Sequence, residues 1–152
     1  MLGCDPGMVR VVSESMAPTL TPGEFAVVRP LNDPAREIRR GMVVVYEHFS
    51  GMPMGEPGDL FLFRAVALAG DRITLAGEAL TVNGAAVSEP YAVYELPPAV
   101  DPGAPPPQSD VRGVVVPSGT VYVLGDNRYN AIDSRYHGPV PVESVRGYVP
   151  DP

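Results

Sequence analysis

The chain has 152 residues, 45% of them apolar, which is enough for one domain with a buried core and excludes a wholly disordered protein. The formal net charge of -7 argues against binding to nucleic acid or to an anionic lipid surface, because both need basic patches. A single cysteine cannot form an internal disulfide, and no segment approaches the roughly 20 apolar residues of a membrane-spanning helix, so we expect the chain as given to be soluble.

Strand patterns dominate the chain. Residues 25–28, 42–46, 60–68 and 120–124 are rich in β-branched and aromatic side chains and are bounded by Gly, Pro or Asp. No segment carries a sustained helical period with caps, and at most one or two single helical turns are expected. The sequence therefore predicts a nearly all-β fold.

Turn residues subdivide the middle of the chain. Asn83-Gly84 lies between two short apolar runs and predicts a tight hairpin. A second turn at residues 76–78 extends this hairpin to a short meander. Prolines at 97–98 and 105–107 disfavour helix and interrupt strand ladders, so residues 88–112 are expected to form an extended loop.

Two polar motifs lie far apart in the sequence. Residues 13–20 read SESMAPTL, and residues 125–141 read GDNRYNAIDSRYHGPVP. Two serines one residue apart, next to a proline, suit a nucleophile with a neighbouring oxyanion donor, although alone they are more typical of hydroxyls that cap a strand end. Between the motifs lie RGMVVV at 40–45 and RAVALAGD at 64–71.

In this order the four segments resemble the conserved boxes of the type I signal peptidases, the serine endopeptidases that remove secretory signal peptides. The resemblance implies a mainly antiparallel catalytic β domain with a second β region inserted before the last box. We therefore expect a single domain over residues 1–152, with residues 73–118 as a small β-hairpin and Pro-rich insertion within it.

The resemblance also implies roles for individual side chains. Ser15 matches the nucleophile, and Ser13 matches the residue whose hydroxyl stabilises the oxyanion together with the backbone N–H of Ser15. Phe63 matches the position of the general base, which is a lysine in the family, yet this chain contains no lysine at all. Ala131 matches a position where a serine commonly orients that lysine.

A phenyl ring cannot accept a proton, so another base would have to activate Ser15. The endoplasmic-reticulum relatives use a histidine at the lysine position, but neither His48 nor His137 matches that position. Arg64 remains protonated at any working pH. The terminal amine of Met1 is a base in principle, although nothing in the sequence brings it to the serine.

Other matches concern substrate binding and structure. Positions that line the family's apolar substrate pockets are Val11, Met16, Leu20 and Leu62, although each is equally consistent with ordinary core packing. Positions that hold the family's core together through ion pairs and hydrogen bonds are Arg64, Asp126, Asp133 and Arg135. No metal-ligand spacing is visible, and no metal or cofactor is expected.

The sequence thus predicts a signal peptidase I-like domain that lacks the general-base lysine. It would bind extended signal-peptide or secreted-protein segments without cleaving them, or assist an active signal peptidase paralogue, at the extracytoplasmic face of the cytoplasmic membrane. Membrane attachment would depend on the family's N-terminal anchor, which is absent from this chain. The competing hypotheses are an active serine endopeptidase that cleaves signal peptides with Ser15 and a displaced base, and a scaffold without peptide affinity.

Overall fold

The computed structural model describes residues 7–96 and 110–152. Within these ranges the strands form three sheets whose strand pairs are all antiparallel, and the helices are single turns, so the all-β prediction is confirmed. The elements in chain order are β1 (Met8–Arg10), β2 (Phe25–Val27), β3 (Arg29–Pro30), α1 (Pro34–Glu37), β4 (Val43–Glu47), β5 (Leu60–Leu68), β6 (Arg72–Ala76), β7 (Ala79–Val82), β8 (Ala85–Ala86), β9 (Val111–Val115), β10 (Thr120–Leu124), α2 (Ser134–His137), β11 (Val140–Pro141), a 3-10 turn (Val142–Ser144) and β12 (Val145–Val149).

The central sheet has the strand order β11-β10-β5-β4-β12-β3. Its longest strand, β5, pairs with β4 through residues 60–64 and with β10 through residues 64–68. Residues 43–46 of β4 are at most 1% exposed, which explains why this strand reads as a continuous apolar run and not as an alternating one. Because β10 pairs with residues 64–68 only, β5 has β10 beside it along its second half and not along its first.

β1 and β2 form a separate two-stranded sheet that carries the serine motif in the connection between them. Beyond the strand pairing, Val11 N–H donates to the Glu24 carbonyl and Gly23 N–H donates to the Val11 carbonyl, both at 2.9 Å. These bonds close the ends of the serine loop, which we define as residues 12–22. The two ends of the loop are therefore held together by backbone hydrogen bonds.

The third sheet has the order β8-β7-β6-β9 and forms a second apolar core with Val66 and Ala67 of β5 and with Tyr122 and Leu124 of β10. Asn83 and Gly84 have φ values of 54° and 79°, the left-handed pair that a two-residue hairpin requires, so the predicted hairpin is confirmed. Apart from Arg72, the strands of this sheet lie within the range 73–118. That this range is an insertion in a single domain over residues 1–152 stays a prediction.

Three local expectations differ from the structure. The strand predicted at 25–28 ends at Val27, and the chain then leaves β2 to pair with β12 as β3. The loop predicted at 88–112 is wrong at its end, because residues 111 and 112 belong to β9 and pair with β6. The helical turn α2 was not predicted; it begins after Asp133, which caps it by accepting the Arg135 N–H.

Some expectations fall outside the described residues, including those on the prolines at 97–98 and 105–107 and on the single cysteine. No helix in the described residues has the length and hydropathy needed to cross a membrane. Within the same residues, no three side chains of His, Cys, Asp or Glu are grouped so that they could hold a metal ion.

Candidate active site

The two serines of the serine loop lie side by side. The hydroxyl oxygens of Ser13 and Ser15 are 2.8 Å apart, within hydrogen-bonding distance. Neighbouring backbone bonds, from Ala17 N–H to the Glu14 carbonyl and from Leu20 N–H to the Met16 carbonyl, are both 3.0 Å long. The loop is therefore a tight, internally bonded turn that presents both hydroxyls together.

Asn127 ties the serine loop to the 125–128 loop that follows β10. Its backbone N–H donates to the Ser15 carbonyl at 3.0 Å, and its side-chain amide donates to the Glu14 carbonyl at 3.0 Å. Two consecutive carbonyls of the serine loop are therefore held by one residue. Asn127 was not predicted as a site residue, although it belongs to the GDNR motif that the sequence singles out.

Phe63 and Ala131 meet beside Ser15. A Cβ atom built on Gly125 would lie 2.4 Å from the Ala131 Cβ, 2.6 Å from the Ser15 carbonyl oxygen and 3.3 Å from a ring carbon of Phe63. Only glycine fits at such a crossing. Phe63 is 4% exposed and its ring centroid lies 6.2 Å from that of Tyr46, so its ring is packed in the apolar core.

The hydrogen-bond partner of the Ser15 hydroxyl among the described residues is the Ser13 hydroxyl. No carboxylate, imidazole or amine of these residues lies within hydrogen-bonding distance of it. His137 instead faces the Tyr46 hydroxyl with Nε2, at 3.0 Å, and the Gly138 carbonyl with Nδ1, at 2.7 Å. Since a carbonyl only accepts, Nδ1 carries the proton and Nε2 accepts from Tyr46.

Burial governs the protonation of this histidine–tyrosine pair. Desolvation lowers the pKa of His137 below its ordinary value, because the charged ring would lose water without gaining a direct carboxylate partner. The pKa of Tyr46 is raised by burial and, to a lesser degree, by the negative charge of Asp133. The pair is therefore neutral at pH 7, and both ring nitrogens of His137 are occupied.

The predicted structural residues form two buried ion pairs around the 125–128 loop. Arg64 donates to both carboxylate oxygens of Asp126, at 2.8 and 2.6 Å, and the two side chains are 7% and 0% exposed. Asp126 also accepts the Thr19 hydroxyl at 2.5 Å. The ring of Tyr91 covers the guanidinium, whose carbon lies 3.7 Å from the ring centroid. This pair links β5, the serine loop and the 125–128 loop.

The second pair supports the same loop from the other side. Asp133 accepts two bonds from the Arg135 guanidinium, at 2.9 and 2.8 Å, and one from the Gly125 N–H at 2.9 Å. Arg135 also donates to the Arg128 carbonyl at 2.8 Å. These bonds hold the backbone at Gly125 and Arg128, and neither side chain is hydrogen-bonded to Ser15.

Arg128 is a buried residue that sequence reasoning missed. It is 1% exposed and donates to the Glu89 carboxylate, to the Tyr94 hydroxyl at 2.9 Å and to the Gly125 carbonyl at 2.8 Å. The backbone of Val93 adds two bonds of 2.8 Å, to Asp126 and from Arg128. Residues 89–94 are therefore bound to the 125–128 loop. The sequence feature that could have indicated Arg128 is its place in the GDNR motif, but its partner Glu89 lies 39 residues away in the chain.

A cleft of about 570 Å³, which we call the serine cleft, opens at the two hydroxyls. Its lining includes Ser13, Ser15, Phe63 and Ala131 together with residues of β5. It also includes all four predicted pocket residues, Val11, Met16, Leu20 and Leu62. The first three are at most 8% exposed and Leu62 is half-buried, so the cleft has an apolar floor.

The chain resembles known proteins along nearly its whole length. The family described as "Signal peptidase, peptidase S26" matches residues 6–150. "Probable signal peptidase I-2" of Synechocystis sp. is 31% identical over 90% of this chain and 58% of its own length. "Signal peptidase I" of Bacillus caldolyticus is 32% identical over 91% of this chain and 74% of its own length. "Mitochondrial inner membrane protease subunit 1" of Mus musculus is 26% identical over 94% of this chain and 66% of its own length.

A solved structure agrees with these matches. The crystal structure of a signal peptidase I from Enterococcus faecalis V583 aligns with a TM-score of 0.55 and 27% identity, over 76% of this chain and 98% of that one. All of these matches are peptidases or proteases by name. The chain belongs to the signal peptidase family, peptidase S26. It spans 58% and 66% of the length of two Synechocystis relatives, so it corresponds to part of those proteins.

Proposed function

We propose that this chain is a signal peptidase I-like domain without a general base, which binds extended signal-peptide or secreted-protein segments and does not cleave them. The observation that carries the proposal is the surroundings of the Ser15 hydroxyl. Its hydrogen-bond partner among the described residues is another hydroxyl, at 2.8 Å. Phe63 and Ala131 occupy the positions that the family resemblance gives to the base and to its orienting serine.

Serine attack on a peptide bond needs a group that takes the hydroxyl proton as the bond forms. The carboxylates of Asp126 and Asp133 are each engaged by an arginine, and His137 is engaged by Tyr46 and Gly138. Ser13 has the same weak acidity and basicity as Ser15 and cannot replace a base. The geometry therefore supports a resting hydroxyl.

Peptide binding does not depend on the missing base. Residues 60–63 of β5 pair with β4 on one side, while β10 begins its pairing only at Arg64. Within the described residues no strand covers the other edge of 60–63, and this edge lies in the serine cleft. An extended peptide can add to such an edge through main-chain hydrogen bonds, and the apolar floor favours small apolar side chains.

The proposed setting follows from the family. The client would be a signal peptide or preprotein segment at the extracytoplasmic face of the cytoplasmic membrane, reached through an N-terminal anchor of the kind that the family carries. Assistance to an active signal peptidase paralogue is the alternative partnership. In both cases the cleft beside β5 is the surface that makes contact.

Two measurements on the purified protein test the proposal. A preprotein with an Ala-x-Ala site is incubated with the protein and, in parallel, with the Ser15→Ala variant; we expect no turnover in either. Titration of a signal-peptide analogue should perturb the NMR signals of Met16 and Leu62. Turnover that disappears in Ser15→Ala contradicts the proposal, and a titration without perturbation favours a scaffold that has no peptide affinity.

The retained pair of Ser13 and Ser15 is the observation that favours the second candidate, an active endopeptidase with a displaced base. This candidate predicts covalent labelling of Ser15 by a fluorophosphonate probe. Labelling that rises with pH through the titration of one group and is absent in Ser15→Ala would support it. Failure of labelling across a broad pH range supports the first candidate.

A further inference from the structure

The direction of the Ser15 N–H group is set by the carbonyl of the preceding residue. The peptide bond between Glu14 and Ser15 is trans, and in a planar trans peptide the C=O and N–H bonds point in opposite directions. The Glu14 carbonyl accepts two hydrogen bonds of 3.0 Å, from the Asn127 side-chain amide and from the Ala17 N–H. A residue that holds this carbonyl therefore also sets the direction of the Ser15 N–H.

The same relation holds one residue further along the chain. The Ser15 carbonyl accepts the Asn127 backbone N–H at 3.0 Å, so the Met16 N–H also points away from Asn127. Among the described residues, neither the Ser15 N–H nor the Met16 N–H has a hydrogen-bond acceptor. Ser15 is half-buried and Met16 is 2% exposed, and backbone N–H groups of buried residues are paired in the great majority of cases. Both N–H groups are therefore available to an acceptor on a bound molecule.

The two faces of the serine loop are lined by different residues. On the side of Asn127 the loop presents Glu14, Ala17 and Pro18, which line a depression together with Asn127. Asn127 does not line the serine cleft, and the residues of the serine loop that do line it are Val12, Ser13, Ser15, Met16 and Leu20. N–H groups that point away from Asn127 therefore point to the side on which the serine cleft lies.

We propose that Asn127 is a positioning residue, whose side-chain amide holds the Glu14 carbonyl so that the Ser15 N–H donates to a backbone carbonyl of the peptide in the serine cleft. This inference rests on the proposed function, because it names a contact that anchors the peptide bound beside β5. Without the Asn127 amide, the Glu14 carbonyl keeps only its bond from Ala17. The peptide plane between Glu14 and Ser15 is then held less firmly, and the Ser15 N–H loses its fixed direction.

The expected contribution is that of one hydrogen bond. A bond from a backbone N–H to a carbonyl oxygen changes affinity by about two- to tenfold. Asn127 acts on the direction of the donor, so its loss should reduce this contribution and leave the apolar contacts between peptide and cleft in place. A merely structural role would weaken the binding of every peptide by the same factor. The dependence of affinity on one peptide carbonyl therefore separates the two roles.

The test uses the 152-residue chain and a fluorescent peptide with an Ala-x-Ala core. In one series of peptides, each core peptide bond in turn is replaced by an ester, which lacks the N–H and keeps a carbonyl. In the matched series the same bond is replaced by an (E)-alkene, which lacks both groups. Fluorescence anisotropy gives the dissociation constants. At one bond we expect the alkene to bind about fivefold more weakly than the ester, and only the ester should move the NMR signal of the Ser15 amide proton downfield.

Variants assign the effect to Asn127. Asn127→Ala and Asn127→Asp, which has the same shape without the amide donor, should both reduce the ratio of alkene to ester dissociation constants to below about twofold. Thr19→Val is the matched control, because Thr19 also joins the serine loop to the 125–128 loop, through its bond of 2.5 Å to Asp126, without holding the Glu14 carbonyl. This control should keep the fivefold ratio.

The outcomes separate this inference from the proposed function. Equal binding of ester and alkene at every bond in the wild-type chain overturns the inference and leaves the proposed function standing. A fivefold ratio that persists in both Asn127 variants, or an equal fall of the ratio in Thr19→Val, has the same consequence. Absence of binding of the unmodified peptide to the wild-type chain overturns both.

Discussion

Phe63 is the residue on which the proposed loss of cleavage depends. Its side chain is 4% exposed and lies with Ala131 at the crossing beside Ser15. Several contacts near this crossing are formed. They are the hydrogen bond between Ser13 and Ser15, the two bonds from Asn127 to the serine loop, and the two buried ion pairs. A base introduced at this position would therefore enter a site whose other parts are in place.

The first prediction is that Phe63→Lys combined with Ala131→Ser gains measurable cleavage of an Ala-x-Ala preprotein. A positioned general base contributes about a hundredfold or more in rate, so turnover should exceed the wild-type background by at least that factor. The control is the same double variant with Ser15→Ala, which should be inactive. A double variant that folds, binds peptide and still does not cleave would show that the missing base is an incomplete explanation.

The second prediction concerns His137 and acid stability. Burial lowers the pKa of His137 below 6.5, so the unfolded chain takes up this proton more readily than the folded one. The stabilisation is fully present above pH 6.5 and is lost as the pH falls towards the lowered folded value. Thermal melting between pH 7 and pH 5 should show this loss, and His137→Gln should reduce it. His48→Gln is the matched control, and an identical pH slope in both variants would contradict the assignment.

At the scale of elements, the Arg64–Asp126 pair joins β5 to the loop after β10. Asp126 is fully buried, whereas the Arg36–Asp33 pair on α1 has side chains that are 87% and 52% exposed. Removing one partner of a buried pair leaves an uncompensated charge, but removing an exposed one leaves it in water. The two pairs therefore allow a direct comparison.

The third prediction follows from this comparison. Asp126→Asn should lower the free energy of unfolding by about 3–5 kcal/mol, because Arg64 remains buried without a carboxylate. Asp33→Asn should change it by less than about 1 kcal/mol. Urea denaturation of both variants gives the two values. Equal losses would mean that burial does not decide the contribution of these pairs.

The central strands could be predicted from the sequence because their patterns are local. β4 and β5 are long apolar runs, and the Asn83-Gly84 hairpin follows from the two backbone conformations it needs. The turn α2 has four residues and no apolar period, so the only sequence feature that indicates it is Asp133, whose carboxylate caps it. Short elements whose stability comes from tertiary contacts leave little trace in a local pattern.

The residues of the candidate site could be singled out for the opposite reason, since their motifs are long and specific, and their roles stay predictions. Ser13, Ser15, Phe63 and the four pocket residues do line one cleft. The sequence could not indicate that Arg128 binds Glu89 or that Asn127 holds Glu14, because those contacts join residues 39 and 113 positions apart. Such pairings arise only when the loops meet.

At the scale of the whole molecule, the composition and the fold allow the effect of burial on the pKa of an amine at position 63 to be measured directly. The chain contains no lysine, so Phe63→Lys introduces the only lysine side chain and its signal can be followed without overlap by selective labelling and NMR.

The fourth prediction is a pKa below about 8 for that side chain, against about 10.4 in water. The reason is that the position is 4% exposed and lies beside the ring of Tyr46, and burial disfavours the ammonium form. Lysine introduced by Leu60→Lys, at a 46% exposed position of the same strand, is the control and should keep an ordinary pKa. A pKa near 10.4 at both positions would mean that water or a carboxylate reaches the site, and that the fold does not by itself turn an amine there into a base.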